Sequence, residues 1–159
     1  MPDRTLLGWV EDPPAGRGIR FARPGESWEH WSYARLAGLA RQVAAGLGDA
    51  GVARGEPVSF VQRSGPGFVG TLFGAMLAGA VPSPIAPPAV FQDLAGYRRH
   101  LAGLLAATRP ALVVTDAELT GEVAALAPGG TRVVPAGEVL GDPERAPRPP
   151  AELALLQFT

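Results

Sequence analysis

The chain has 159 residues, enough for one domain with a real core, and its composition is globular: 47% hydrophobic and 18% charged residues. A formal net charge of -1 supplies no basic field for nucleic acid and no polybasic membrane anchor. Cysteine is absent and all 14 basic residues are arginine, which excludes disulfides, thiolate metal sites, thiol nucleophiles and any catalytic lysine.

The amino-terminal stretch Met1 to Asp12 carries too short an apolar run for a signal peptide. The longest apolar run, Phe68 to Val81, is broken by Gly70, Thr71, Gly74 and Gly79 and falls short of the ~20 residues that span a bilayer. A cytoplasmic protein with no membrane span and no nucleic-acid partner is expected.

In chain order, residues 17–31 predict a hairpin. Gly18 to Phe21 and Ser27 to Trp31 are strands joined through Arg23-Pro24-Gly25-Glu26, with proline and glycine placed for a type II turn. Ser32 caps a helix whose stripe is Tyr33, Leu36, Ala37, Ala40, Val43, Ala44 and Leu47, and Gly51 suits a left-handed carboxyl cap. Pro57 to Gln62 is a strand, and Ser64 to Gly67 turns into a buried helix from about Phe68 to Gly79. Val81 to Ile85 is a strand closed by Ala86-Pro87-Pro88.

A third helix carries Leu94, Tyr97, Leu101, Leu104 and Leu105 on one face, with Arg98 and Arg99 off it. Ala111 to Val114 reads as a parallel-sheet strand, and Asp116 as the cap of a short helix bearing Leu119, Val123 and Leu126. Pro128-Gly129-Gly130 breaks that helix before a strand at Arg132 to Pro135. Residues 141–152 form a proline-rich surface loop, and 153–159 a buried strand. Strand and helix alternate through 32–140, so the fold class is α/β, with layered βαβ units on a largely parallel sheet.

Gly65-Pro66-Gly67-Phe68-Val69-Gly70 matches the dinucleotide fingerprint directly after a strand. The acidic residue expected about 20 positions on is missing, because that strand ends in Ser83 to Pro88. The glycines are better explained as a tight turn and close packing of the helix on the sheet. Trp28, Trp31 and His30 are strand residues, Arg98-Arg99-His100 is a solvated helix face, and Ser64 lacks both an elbow motif and a base.

Several segments together resemble one family. Ser32 to Ala37 and Leu47 to Val58 look like the opening of AMP-forming acyl and aryl ligases. Gly65 to Val69, Gly74 to Pro82 and Leu101 to Asp116 resemble the elements that follow in that family. Leu153 to Phe158 looks like the strand that enters its phosphate loop, with Thr159 as the loop's first residue.

The resemblance implies an incomplete amino-terminal portion of the large domain of an acyl-adenylating enzyme. Ala86-Pro87-Pro88 and Leu156 to Thr159 lean towards the fatty acyl-AMP ligase branch, beside the acyl-CoA synthetases. It further implies a two-step ligase that uses ATP and Mg²⁺. A fatty or other carboxylic acid becomes an acyl adenylate, and the acyl group passes to an acyl carrier protein or to CoA. The phosphate loop and catalytic lysine of that family lie outside these residues, so the chain alone is expected to be inactive and to bind neither cofactor tightly. Thr159 is the only site residue carried over; no catalytic or metal-binding residue is. The alternative is a stand-alone α/β binding module without catalysis.

Overall fold

The structure, a computed structural model, describes residues 5–25, 27–88 and 93–158. Its elements are α1 (Gly8–Glu11), β1 (Gly18–Arg23), β2 (Ser27–Ser32), α2 (Tyr33–Asp49), β3 (Pro57–Val61) and α3 (Pro66–Leu77). They are followed by β4 (Val81–Ile85), α4 (Leu94–Thr108), β5 (Leu112–Thr115), α5 (Thr120–Leu126) and β6 (Arg132–Pro135). Strands β1 and β2 form an antiparallel hairpin, and the other strands a parallel sheet in the order β4-β3-β5-β6. The short helix α1 carries no strong sequence signal; it forms because Val10 is buried against Ala37, Ala40 and Leu77.

Local signals account for most boundaries. The Ser32 hydroxyl accepts from Arg35 N at 3.2 Å and starts α2. At its far end Gly51 takes φ +84° while Val52 N bonds back to Leu47 O at 3.1 Å. Helix α3 ends the same way, with Gly79 at φ +72° and Ala80 N bonded to Ala75 O at 2.9 Å. Each is a left-handed carboxyl cap that satisfies carbonyls the helix cannot. Asp93 caps α4 by accepting from Ala95 N at 3.0 Å.

The sheet is buried on both faces, which is why its strands read as near-continuous apolar runs. Val58, Phe60, Leu112 and Val114 meet Val43, Leu47, Ala75 and Ala78 of the α2–α3 layer. Val61, Val113 and Ile85 meet Leu101 and Leu105 of α4 and Val123 of α5 on the other side. Helices α2 and α3 pack closely because α3 offers glycines to α2. A Cβ at Gly70 would lie 2.7 Å from Leu39 Cγ, and one at Gly74 would lie 2.7 Å from Val43 Cβ.

Two expectations need correction. Residues 153–158 are not a buried strand: the segment is irregular, Leu153 is 62% exposed and Leu155 40%. Its one backbone bond to the sheet runs from Leu156 N to Pro82 O at 3.0 Å. That bond turns the Pro82 carbonyl away from β3, and Pro84, two residues on, has the same orientation. Neither proline has an amide hydrogen, so the outer edge of β4 accepts hydrogen bonds at these positions but donates none. A full ladder cannot form there.

Asp116 is not a side-chain helix cap. Its carboxylate instead accepts from Arg63 N at 2.8 Å, across the gap between the ends of β3 and β5.

Residues 141–152 are largely exposed, as a surface loop should be, yet they are held in place. Together with Val139 and Leu140 they form a strap over the carboxyl ends of α2 and α3. Gly141 N donates to Gln42 O at 2.8 Å, and Arg148 N to Leu77 O at 2.9 Å. Arg145 donates to the Ala45 carbonyl at 3.3 Å and pairs with Asp49. Helix α2 has no basic residue in its last turn, so the strap brings cationic charge to the negative end of that helix dipole.

Candidate functional site at the carboxyl ends of the strands

Open parallel sheets place ligands beyond the carboxyl ends of their strands, so this edge is the first place to look for chemistry. A shallow crevice there is lined by the turn Arg63 to Phe68, by Thr115 to Glu118 and by Pro135 to Gly137. Parallel pairing of β3 with β5 and of β5 with β6 brings these three loops together.

The crevice floor is polar but internally satisfied. Arg63 gives its backbone N–H to Asp116 and its guanidinium to Glu118. The Thr115 and Thr120 hydroxyls lie 2.8 Å apart, and Thr120 also donates to Asp116 O at 3.4 Å. Two carboxylates against one already paired guanidinium make this a poor seat for a phosphate.

The glycine-rich turn enters the same crevice. Gly65 precedes the helix, Pro66 occupies the first turn of α3, and no side chain caps it. Gly70 and Gly74 face α2, so the close packing that the sequence placed against the sheet is made against a neighbouring helix, and Ile85 is followed by Ala86 with no carboxylate. Beside the turn, the Gln62 side chain is 3% exposed; its Nε2 would sit 3.3 Å from a Cβ at Gly67, and its Oε1 has no partner among the described residues. The crossing of Arg63, Asp116 and Glu118 carries no sequence signature, because these residues become neighbours only when β3 pairs with β5.

Other residues singled out in the sequence stay apart. Trp28 is 67% exposed on the hairpin, while Trp31 packs beneath the Arg35 guanidinium, 3.4 Å from ring centroid to carbon. The Arg23 guanidinium beside Glu29 holds that carboxyl below its usual range. Arg98 pairs with Glu122 of α5 at 2.8 Å, and His100 stays on the exposed helix face. Tyr97 donates to Ala86 O at 3.1 Å; burial, with the Glu122 charge behind it, pushes its phenol up to about 12. Thr159, the one residue expected to touch phosphate, lies outside the described residues.

Among the described residues no group of three or more His, Asp or Glu side chains could hold a metal ion, and no helix is long and apolar enough to cross a membrane.

Known proteins supply what the crevice alone does not. Residues 9–159 match the family model described as AMP-binding enzyme. An isonitrile lipopeptide synthase from Streptomyces coeruleorubidus is 34% identical over 116 residues, which is 72% of this chain and 7% of that protein. A structure from work on fatty acyl-adenylate ligases of E. coli and L. pneumophila superposes with TM-score 0.83 at 24% identity, covering 96% of this chain and 28% of its own.

The A-PCP portion of McyG, complexed with phenylalanyl-adenylate, gives TM-score 0.79 at 24% identity, covering 98% of this chain and 30% of its own. The adenylation domain of a keto acid-selecting nonribosomal peptide synthetase module, bound to keto acyl adenylate, gives 0.68 at 27% identity over 85% of this chain and 26% of its own. The chain therefore spans less than a third of the length of each of these relatives. With the order of its βα units and its parallel sheet matched by adenylate-forming enzymes along nearly its whole length, the chain belongs to the AMP-binding enzyme family.

Proposed function

We propose that this chain is the front part of the large domain of an enzyme that activates a carboxylic acid with ATP to an acyl adenylate and pyrophosphate. The observation that carries this reading is the family match across residues 9–159. In the proposed reaction a carboxylate oxygen attacks the α-phosphate, and the bond to the pyrophosphate leaving group breaks. A carrier-protein or CoA thiol then takes the acyl group and releases AMP.

The phosphate contacts fall in the loop beginning at Thr159 and in residues after it, with Mg²⁺ neutralising the phosphate charge. The strand-end crevice, with Asp116 and Glu118 in it, serves as scaffold for that loop and not as its substitute. On this reading residues 1–159 alone do not adenylate anything.

The acid is a fatty acid by the lean of Ala86-Pro87-Pro88 and Leu156 to Thr159. A second acid class has its own support: one relative is a lipopeptide synthase, and the keto acid-selecting module belongs to a nonribosomal peptide synthetase. An adenylation domain within such an assembly would select an amino or keto acid instead.

ATP–pyrophosphate exchange decides among these. The longer polypeptide containing this chain should exchange label with a fatty acid from a panel of fatty, keto and amino acids. Exchange only with amino or keto acids would replace the fatty-acid reading with the second one. Residues 1–159 alone should give no exchange above background, and a signal from them would overturn the placement of the phosphate contacts.

A further inference from the structure

The strap and the loop between α2 and β3 grip one another through two arginines. Arg148 of the strap donates from Nη1 to Val52 O at 2.7 Å. In return Arg54 of the loop donates from Nε and Nη2 to Pro150 O at 3.1 and 2.8 Å, and reaches Pro149 O at 3.4 Å. Donors run both ways across the seam.

The seam is also fitted sterically. Gly79 lies under it, where a Cβ would come 2.7 Å from Pro149 O and 3.4 Å from Arg54 Cγ. Gly48 admits the Arg148 guanidinium, whose Nη2 would be 3.3 Å from a Cβ there. Gly46 admits the strap's start, where a Cβ would meet the Val139 carbonyl carbon at 2.6 Å.

Proline explains why side chains hold this seam. Pro143, Pro147, Pro149 and Pro150 have no amide hydrogen, so the strap cannot be anchored by a backbone ladder. Guanidinium groups hold it instead: Arg54 binds the Pro149 and Pro150 carbonyls, and Arg148 of the strap reaches out to Val52 O. Proline also fixes φ, so a grip at Pro149 and Pro150 is passed stiffly to the residues that follow.

On the adenylation reading, those residues lead to the phosphate-loop position. From Pro150 the chain must reach Leu156, whose N–H is held by Pro82 O at 3.0 Å. Six residues span at most about 20 Å, and this stretch is otherwise irregular and largely exposed. Upstream of Leu156, the arginine grip, together with the bond from Arg148 N to Leu77 O at 2.9 Å, sets where the segment starts.

We propose that Arg54 and Arg148 are positioning residues that fix the path of residues 151–158 along the β4 edge, and thereby the seat of the loop that begins at Thr159. The catalytic half of this inference rests on the adenylation reading given above. The structural half does not.

The test uses the longer polypeptide containing this chain, carrying Arg54→Ala with Arg148→Ala. Hydrogen exchange of the 151–158 peptide should quicken by roughly tenfold or more, while peptides from α3 and β3 keep their protection. KM for Mg-ATP in pyrophosphate exchange should rise by roughly tenfold, with KM for the acid unchanged, as a displaced positioning element requires. Arg54→Lys in the Arg148 background should recover part of both effects, since lysine restores a point donor but not the fork.

Unchanged exchange in 151–158, or quickening spread equally through α2, α3 and the sheet, would overturn the structural half. Faster exchange in 151–158 with an unchanged KM for Mg-ATP would overturn the catalytic half. If the parent protein shows no ATP–pyrophosphate exchange with any acid, the adenylation reading and the catalytic half fall together, and the hydrogen-exchange arm still decides whether the grip exists.

Discussion

The β3–α3–β4 unit and the carboxyl segment 139–158 are both rich in apolar residues and prolines, and they behave in opposite ways. In the first, Val58, Phe60 and Val61 are fully buried, and α3 is sandwiched between α2 and the sheet. In the second, Leu153 and Leu155 are exposed, and order comes from arginines that bind carbonyls and from single backbone bonds to α2 and α3. An apolar run becomes a strand only if a neighbouring edge offers donors as well as acceptors. The outer edge of β4, with Pro82 and Pro84, does not.

The sharpest way to break this contrast is to truncate one large apolar side chain in each region. Phe60→Ala should cost about 3–5 kcal/mol in denaturant titration, since Phe60 is fully buried beside Phe68. Leu155→Ala should stay within about 0.5 kcal/mol. Comparable losses would show that 153–158 is packed after all.

A second pair compares glycines. Gly74→Val should destabilise by about 1–3 kcal/mol, because it drives a branched side chain into Val43 and the Ala40 carbonyl. Gly103→Ala, in α4 with no atom near the new methyl, should stabilise by about 0.4–1 kcal/mol.

The buried hydroxyls of Ser59 and Ser83 sharpen the description of the sheet. They are register partners on β3 and β4, both fully buried, and neither has a hydrogen-bond partner among the described residues. Their alanine double variant should be neutral or more stable by about 1 kcal/mol, because it removes unpaired polar groups at little loss of volume. A clear destabilisation would mean that these hydroxyls are satisfied in solution.

Tyr97 links α4 to the end of β4 and gives a pH signature. Its pKa is raised in the fold to about 12, from the ordinary phenol value of 10.0, so the protonated phenol is the form the fold favours. The stability it contributes is complete below pH 10.0 and is lost as pH rises towards about 12. Tyr97→Phe should flatten the alkaline limb of a stability–pH curve and cost about 1 kcal/mol at neutral pH through the lost bond to Ala86 O.

The smallest effect belongs to Glu29 on the exposed hairpin. Its carboxyl titrates below the usual value because Arg23 is beside it, so its contribution is present above pH 4.5 and fades as pH falls through the lowered pKa. Glu29→Gln should therefore remove a weak acid-side dependence confined to the hairpin, read by exchange of the 18–32 amides.

Much of the fold was legible because local and tertiary demands coincide in it. The stripe from Leu36 to Leu47, the Ser32 cap and the glycines at 51 and 79 each mark a boundary by their own chemistry. The short α1 escaped, since only tertiary burial of Val10 supports so brief a helix. Asp116 was misread because a carboxylate before a helix has two possible donors to satisfy it. The choice of Arg63 N depended on a strand brought alongside from far away in sequence.

The sequence by itself determined the alternation of strands and helices, the two-sided burial of the sheet and the family. These follow from periodicity, caps and the order of segments, all of which are local or linear properties. Only the tertiary structure decided that Arg63 meets Asp116 and Glu118, that arginines pin a proline-rich strap, and that residues 153–158 do not join the sheet as a strand. Each of those depends on which donors and acceptors the folded backbone leaves free, and that is settled when distant segments meet.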